Sequence, residues 1–362
     1  MSGTIEIRAR SGGEGRRRPA VGGLNPLGGQ PATRGAQASG APARGAGPTA
    51  YCHAMLPFRF VVHASAARSG AAWLDLARRA ETLGYDALYM PDHLGRQYSP
   101  ISALSAAAAV TTRLRVAPYV AANDFRHPLL LARELATLDV VSDGRVEIGI
   151  GAGWRTADYR QLGTTYDPPK VRIDRLVESI GILKRLFAGE TVTHDGSHYR
   201  LGSARLAPRP VQQPHPPFVI GGGGPRMLRL AAREADVVGL IPQFDTRGRP
   251  IVGQATEGAT RAKAEIVRAE AGSRWDSLRL DVIVFDAGIV GGPAAGPLAS
   301  LAAAAKATAV ALIGTPYVMY GTLARLRSLL EWRRDRAGIS QYALPAHAMD
   351  AMAPLVEALR GR

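Results

Sequence analysis

The chain has 362 residues, 46% of them hydrophobic and 21% charged, with a formal net charge of +15 and a single cysteine. One cysteine excludes intramolecular disulfides and paired-cysteine metal sites and is typical of the reducing cytoplasm, the expected location. No apolar run approaches the ~18 residues of a membrane span. The basic residues are dispersed, without zinc-finger spacing or aromatic interleaving, so neither nucleic acid nor a membrane is an expected partner.

Residues 1–54 have the composition of a disordered segment. Between positions 11 and 50, 11 Gly, 5 Pro and 8 Ala make up 24 of 40 residues. The segment has no apolar periodicity to offset the entropy of ordering, and it lacks the apolar stretch of a secretory signal. Met55 directly precedes the first predicted strand, so two interpretations stay open: a disordered N-terminal segment, or a chain that starts at Met55. We predict a single domain over residues 55–362.

From residue 58 onward, short apolar runs alternate with helical segments, which is typical of parallel βαβ units. The eight predicted strands are 58–63, 86–90, 114–120, 145–150, 218–220, 236–241, 278–285 and 339–344. The predicted helices are 70–82, 101–111, 129–141, 171–187, one beginning at Pro225, 257–271, 297–307, one running from Thr315 to 337, and 348–359. A long irregular stretch extends to Pro169, and residues 191–206 predict a β-hairpin around Asp195-Gly196.

Eight strands alternating with helices predict a (β/α)₈ TIM barrel, with the β-hairpin inserted between units four and five. A doubly wound sheet is the alternative. It is disfavoured because the first strand is not followed by GxGxxG, and no acidic ribose ligand stands about twenty residues further on. In a barrel, the functional site is expected at the carboxyl ends of the strands.

The fifth predicted strand runs directly into four glycines, and Pro225 then opens a helix. Glycines allow backbone N–H groups to converge on a phosphate, and the helix N-terminus adds its dipole to the attraction. The run predicts a phosphate cradle, with a flexible loop as the plain alternative. The candidate cofactor-binding residues here are Gly221, Gly222, Gly223, Gly224, Arg226 and Met227.

The ends of the other strands are rich in polar, aromatic and glycine residues, where aliphatic residues would suffice for packing. The candidates are His63, Asp92, His93, Tyr119, Val120, Asn123, Gly151, Gly153 and Trp154. We expect Gly151 and Gly153 to let a flat ring approach the strand ends. No metal centre is expected, because the histidines lack HxH or HExxH spacing. Neither a Gly-x-Ser-x-Gly elbow nor a close carboxylate pair supports hydrolysis.

Together these segments resemble the bacterial luciferase-like superfamily, and most closely its actinobacterial members that use the deazaflavin coenzyme F-420. The matching segments are 84–88 with 92–93, 114–116, 126–128, 132–139 with 142–145, 149–154, 216–224 with 231–236, 312–316 and 351–356. The resemblance implies a TIM barrel, usually a homodimer, with the tricyclic ring over the strand ends and the cofactor phosphate in the glycine loop.

The resemblance also implies roles for individual residues. His93 resembles the histidine beside the reactive ring edge, where it could relay a proton or orient substrate. Near Tyr119 and Val120 the family often has a non-proline cis peptide that backs the ring. Relatives that oxidise sugar phosphates carry one carboxylate where this chain has Trp154 and another where it has Ala67. A phosphosugar substrate is therefore disfavoured, and an apolar or aromatic one is predicted.

The main hypothesis is hydride transfer between F-420 and an apolar or aromatic small molecule, with His93 and Asn123 near the reacting centre and Trp154 as a pocket wall. The first alternative is an FMN-dependent monooxygenase supplied with reduced flavin by a partner reductase. The second is a flavin-binding protein without catalytic activity, which the missing carboxylates would permit. The substrate itself and the direction of the reaction cannot be derived from the residues.

Overall fold

The computed structural model describes residues 56–245, 249–291 and 314–362. The predicted N-terminal segment and the predicted helix 297–307 lie outside this part of the chain. The first half of the described chain consists of β1 (Arg59–His63), α1 (Gly70–Thr82), β2 (Ala87–Met90), α2 (Pro100–Ala109), β3 (Arg115–Pro118), β4 (Ala121–Ala122), α3 (Pro128–Val141), β5 (Ile148–Gly151), α4 (Thr156–Leu162) and α5 (Pro169–Phe187). The second half consists of β6 (Val192–Asp195), β7 (Arg200–Ala204), β8 (Phe218–Gly222), α6 (Pro225–Glu234), β9 (Val237–Leu240), α7 (Glu257–Ala271), β10 (Arg279–Ile283), β11 (Asp286–Ile289), β12 (Val318–Gly321), α8 (Leu323–Ala337), β13 (Ile339–Pro345) and α9 (Met349–Leu359).

The main sheet is parallel and has the order β3-β2-β1-β13-β10-β9-β8-β5-β4, so the first strand of the chain pairs with the last. A bridge between Val116 and Val146 joins β3 to the residues just before β5 and closes the ring. The predicted TIM barrel is confirmed. The third predicted strand, 114–120, contains β3, and a cis peptide between Tyr119 and Val120, where the resemblance had implied one, separates β3 from β4. An antiparallel pair, β6 and β7, lies between α5 and β8.

Alternation along the strands sorts the barrel's apolar residues into two clusters. In β1, Phe60 and Val62 belong to the large cluster that includes helix residues such as Trp73, whereas Val61 belongs to a smaller one. Successive strand side chains point to opposite faces, so the smaller cluster fills the barrel interior. The helices that pack outside the strands begin at capping residues. At the start of α1, for example, the Ser69 hydroxyl accepts a hydrogen bond from the Ala72 N–H.

Two local predictions were wrong. The stretch expected to be irregular contains α4. The last long helix was expected to start at Thr315, but Thr315 precedes β12, which pairs in parallel with β11. The helix α8 begins at Leu323, where the Thr322 hydroxyl accepts the Arg325 N–H. Thr followed by Pro is typical of a helix start, but the residues after this pair form the strand β12 instead.

None of the helices in the described ranges is long and apolar enough to cross a membrane.

Candidate active site

A cleft of about 860 Å³ opens at the carboxyl ends of the barrel strands. This volume lies in the range of cofactor and small-molecule sites. Thirteen of the fifteen candidate site residues line it: His63, Asp92, His93, Tyr119, Val120, Gly151, Gly153, Trp154, Gly221, Gly222, Gly223, Gly224 and Met227. Parallel strands carry their carboxyl ends to one edge of the barrel, which brings together residues more than 160 positions apart.

Arg226 and Asn123 are not among the lining residues. The Arg226 guanidinium is paired with Asp174 and donates to the Lys170 carbonyl, so it is held by α5 beside the cleft. Asn123 is buried and its amide donates to the Tyr199 hydroxyl at 3.0 Å. Sequence position placed both residues next to the site, whereas their side chains connect neighbouring elements. Neither side chain lines the cleft, and a direct role for either stays a prediction.

The glycine run lines one part of the cleft, where β8 passes into α6. A Cβ on Gly223 would lie 2.7 Å from the Ile241 carbonyl oxygen, so the close approach of two backbones requires glycine there. The N-cap of α6 is Gly224, which has no side chain to satisfy the free N–H groups of the first helical turn. This part of the cleft therefore offers backbone donors and the positive end of a helix dipole to an anion.

The loop after β5 is fixed from behind by two side chains. Arg172, buried at the start of α5, donates to the carbonyl oxygens of Ala152 and Gly153. Its guanidinium lies 4.2 Å from the centre of the Tyr166 ring, and the Tyr166 hydroxyl donates to the Trp154 carbonyl at 3.0 Å. Three consecutive carbonyls thus accept hydrogen bonds from side chains of the neighbouring segment, which fixes the position of Trp154.

Gly153 was expected to make room for a flat ring, but it also has an intramolecular reason to be glycine. Its φ is +72°, and a Cβ there would overlap the Tyr159 hydroxyl.

An aromatic wall also lines the cleft. The Trp154 ring stacks on Phe244 with a centroid distance of 4.6 Å and an interplanar angle of 20°. Phe244 meets Phe285 edge to face at 6.5 Å, and both line the cleft. Trp154 is 40% exposed, so a large part of its indole surface faces solvent. Such a surface offers apolar contact area to a bound ligand. Ala67 is not among the lining residues.

His93 lies beside this wall. Its ring meets Trp154 edge to face at 5.4 Å, and its Nδ1 is 2.7 Å from the Asp158 carboxylate on α4. The Asp158 side chain is 1% exposed, whereas that of His93 is 27% exposed. An anchored Nδ1 leaves Nε2 as the nitrogen on the open side of the ring. Asp158 was missed by sequence reasoning, since it is 65 residues away on a helix that was not predicted.

The second histidine of the site, His63, has a different environment. Burial, together with the charge of nearby His93, lowers its pKa to about 4. Its ring is therefore neutral at physiological pH. It meets Tyr119 edge to face at 6.3 Å, which makes it part of the apolar floor of the cleft.

Asp92 supports the site through its ion pair. Its carboxylate binds Arg126 through both guanidinium Nη atoms and accepts the Ala122 N–H at 3.1 Å. The ends of β2 and β4 are thereby joined. The carboxylate lines the cleft with its charge already balanced.

Beneath the floor, Tyr119 donates its hydroxyl to the carboxylate of Asp281 in the barrel interior. Burial raises the pKa of Asp281 to about 7, despite this hydrogen bond. Deeper still, Tyr89 bonds to Glu147, which pairs with Arg59 and Arg115. Burial would raise the pKa of Glu147, but the two guanidinium groups lower it to about 2. A polar column therefore supports the segment between β3 and β4 that carries the cis peptide.

Within the part of the chain that the structure describes, no group of three or more His, Cys, Asp or Glu side chains could hold a metal ion.

A cofactor-sized cleft at the strand ends of a TIM barrel, with a glycine cradle at a helix N-terminus within it, is an arrangement in which barrel enzymes bind phosphate-bearing cofactors. The family model described as Luciferase-like monooxygenase matches residues 52–276, more than half of the chain. The chain belongs to this family, and the predicted family is confirmed.

Among sequence relatives, an F420-dependent glucose-6-phosphate dehydrogenase from Microbacterium testaceum is 35% identical over 190 residues, covering 50% of this chain and 56% of the relative. A second dehydrogenase of the same name, from Nakamurella multipartita, is 35% identical over 189 residues, which cover 50% of this chain and 55% of the relative. The chain thus spans about half the length of these curated relatives.

Solved structures resemble the barrel closely. The coenzyme F420 dependent tetrahydromethanopterin reductase from Methanopyrus kandleri has a TM-score of 0.67 at 18% identity, covering 84% of this chain and 100% of that one. An F420-dependent secondary alcohol dehydrogenase, in complex with an F420-acetone adduct, has a TM-score of 0.67 at 20% identity with the same coverage. At these identities the likeness establishes the fold.

Proposed function

We propose that the protein is an oxidoreductase that transfers a hydride between the deazaflavin coenzyme F-420 and an apolar or aromatic small molecule. The observation that carries the proposal is the composition of one continuous cleft, which is lined both by an anion cradle and by a histidine beside an aromatic wall. The names of the sequence relatives, F420-dependent dehydrogenases, support the choice of cofactor.

The residues present fit a phosphate-bearing cofactor. Gly223 leaves space that a Cβ would fill, and the first turn of α6 has free N–H groups without a side-chain cap. These groups would hold the phosphate, while the floor formed by Tyr119, Val120 and His63 would carry the ring. When bound, F-420 supplies a carbon that accepts or donates a hydride. The protein positions the ring, excludes water through the aromatic wall, and provides a proton carrier at His93.

The proposed substrate differs from that in the relatives' names. Trp154 stands where the family's sugar-phosphate enzymes place a carboxylate, and its indole is stacked on Phe244 rather than directed to a polar group. A hydrophobic surface at this position would leave a sugar's hydroxyls without partners on that side of the cleft. We therefore propose that the substrate contacts Trp154 through an apolar or aromatic group.

One alternative has its own support, since the family description itself names monooxygenases. In that case the cradle would hold FMN, and a partner reductase would supply the reduced form. The anion cradle alone suits either cofactor. The two proposals therefore differ in the cofactor bound and in whether oxygen is consumed.

Turnover by the purified protein tests the proposed activity. Oxidised F-420 is mixed with either 1-phenylethanol, cyclohexanol or glucose 6-phosphate, and reduced F-420 with the corresponding ketones and with aromatic enones, while the F-420 absorbance is followed. We expect turnover with at least one apolar or aromatic compound and none with glucose 6-phosphate. Glucose 6-phosphate as the preferred substrate would overturn the proposed substrate class. Binding of F-420 without turnover on any compound would favour the non-catalytic alternative.

A further inference from the structure

The pairing of His93 with Asp158 has a chemical consequence. Asp158 Oδ2 lies 2.7 Å from Nδ1 of the histidine. Its Oδ1 accepts the Leu94 N–H at 3.2 Å and lies 3.3 Å from Arg155 Nη1. The two carboxylate oxygens thus have separate partners: one holds the backbone just after His93, and the other holds its ring.

A carboxylate can only accept, so Nδ1 must carry the proton of this hydrogen bond. In the neutral imidazole, Nε2 is then left with a free lone pair. We propose that Asp158 is a positioning residue that fixes His93 as the Nδ1–H tautomer, so that Nε2 is the atom that takes up and returns the substrate proton.

Charged groups around the ring are consistent with this assignment. Asp158 has Arg155 as a second partner, and Asp92, next to His93 in sequence, is balanced by Arg126. His63, a further ionisable neighbour within the described residues, has a pKa lowered to about 4 by burial and by the charge of His93, so its ring is neutral in the working pH range. Asp158 is accordingly the group that selects which nitrogen of His93 carries a proton.

The chemical use of this arrangement rests on the proposed function. F-420 in the cleft would supply the hydride acceptor for a carbinol carbon; the hydroxyl oxygen would then give its proton to Nε2, and the O–H electron pair would become the second bond of the carbonyl group. In the reverse direction, the protonated imidazole would return that proton to the oxygen while reduced F-420 would supply the hydride to carbon. A ring held as the other tautomer would present an N–H in place of the accepting lone pair.

The tautomer can be measured without cofactor or substrate. The full chain is labelled with ¹⁵N-histidine, and the ring nitrogen shifts of His93 are assigned by their loss in His93→Gln and recorded at pH 9. We expect Nδ1–H in the wild type. In Asp158→Asn the amide oxygen can still serve Leu94 and Arg155, while the amide N–H₂ faces Nδ1, so the proton should move to Nε2. Asp158→Glu and the control Asp167→Asn, whose carboxylate pairs with Arg175, should keep Nδ1–H.

An Nε2–H tautomer in the wild type, or an unchanged tautomer in a folded Asp158→Asn variant, would overturn the assignment. Turnover supplies a second readout, using the best compound of the panel above. Asp158→Asn should lower kcat roughly 100-fold in the wild-type background with an unchanged Kd for F-420, and by less than about twofold in His93→Gln. Equal losses in both backgrounds would indicate a purely structural role. A protein inactive with F-420 would contradict the proposed function, while the NMR result would still decide the role of Asp158.

Discussion

Gly223 and Gly224 are neighbours in the same loop, yet the spaces around their α-carbons differ. A Cβ on Gly223 would meet the Ile241 backbone carbonyl at 2.7 Å, whereas one on Gly224 would have only the Gln243 side-chain nitrogen within reach, at 3.9 Å. The Ile241 backbone cannot move aside for an added methyl group as easily as the flexible Gln243 side chain can. The pair therefore provides a matched test of the cradle.

We expect Gly223→Ala to weaken F-420 binding at least tenfold, or about 1.4 kcal/mol, because the loop must move away from β9 and its donors with it. Gly224→Ala should stay within about threefold of the wild type, since its φ of −98° suits alanine. Fluorescence quenching on titration measures both. Equal affinities for the two variants, with unchanged thermal midpoints, would refute the cradle.

Local sequence pattern predicted part of the site at this scale. The glycine run, His93 and Trp154 were found because each stands at a strand end. Asp158 was not, since only the folding of α4 onto the loop after β2 brings it to His93. Arg226 and Asn123 stand at the predicted places, but ion pairing and a hydrogen bond turn their side chains elsewhere.

Among the elements, the eight barrel strands were predictable because buried parallel strands are short apolar runs bounded by turns. The pair β11 and β12 was not predictable, because the two strands are separated by residues 290–317 and each has only four residues.

The barrel interior contains charged side chains as well as the aliphatic residues that usually fill such a barrel. Two buried carboxylates, Asp281 and Glu147, have pKa values shifted in opposite directions.

These shifts predict opposite pH behaviour. The pKa of Asp281 is about 7 in the native state, above the ~3.9 of an unfolded chain. The native state therefore holds an extra proton between these values, and its stability falls as pH rises through that window. Asp281→Asn removes this dependence. Relative to the wild type, its free energy of unfolding should rise by roughly 2 kcal/mol from pH 5.5 to pH 8.

Glu147→Gln provides the contrast. In the wild type the pKa of Glu147 is lowered to about 2, so its carboxylate is ionised in both the folded and the unfolded state above pH 5.5. The variant should lose roughly 3 kcal/mol, since Arg59 and Arg115 lose their partner, with a loss nearly constant over the same range. Urea unfolding at each pH measures both variants. A flat difference for Asp281→Asn would show that its carboxylate is ionised throughout.

For the whole molecule, the alternation of strands and helices was sufficient to predict the barrel, and the barrel in turn determined where the site lies. Of the cleft's aromatic wall, only Trp154 was predicted from the sequence. Phe244 and Phe285 follow later strands, and the closed barrel brings them next to Trp154. The homodimer, the reductase partner and the cytoplasmic location stay predictions. Cofactor choice is the property on which the proposed function depends most.

Direct titration of the purified protein with F-420 and with FMN, each oxidised and reduced, tests this choice. Quenching of cofactor fluorescence is followed for the oxidised forms, and calorimetry is used for the reduced ones. We expect F-420 to bind with a micromolar or lower Kd, about −8 kcal/mol or stronger, and FMN at least tenfold more weakly. Tight binding of FMN without affinity for F-420 would contradict the proposal.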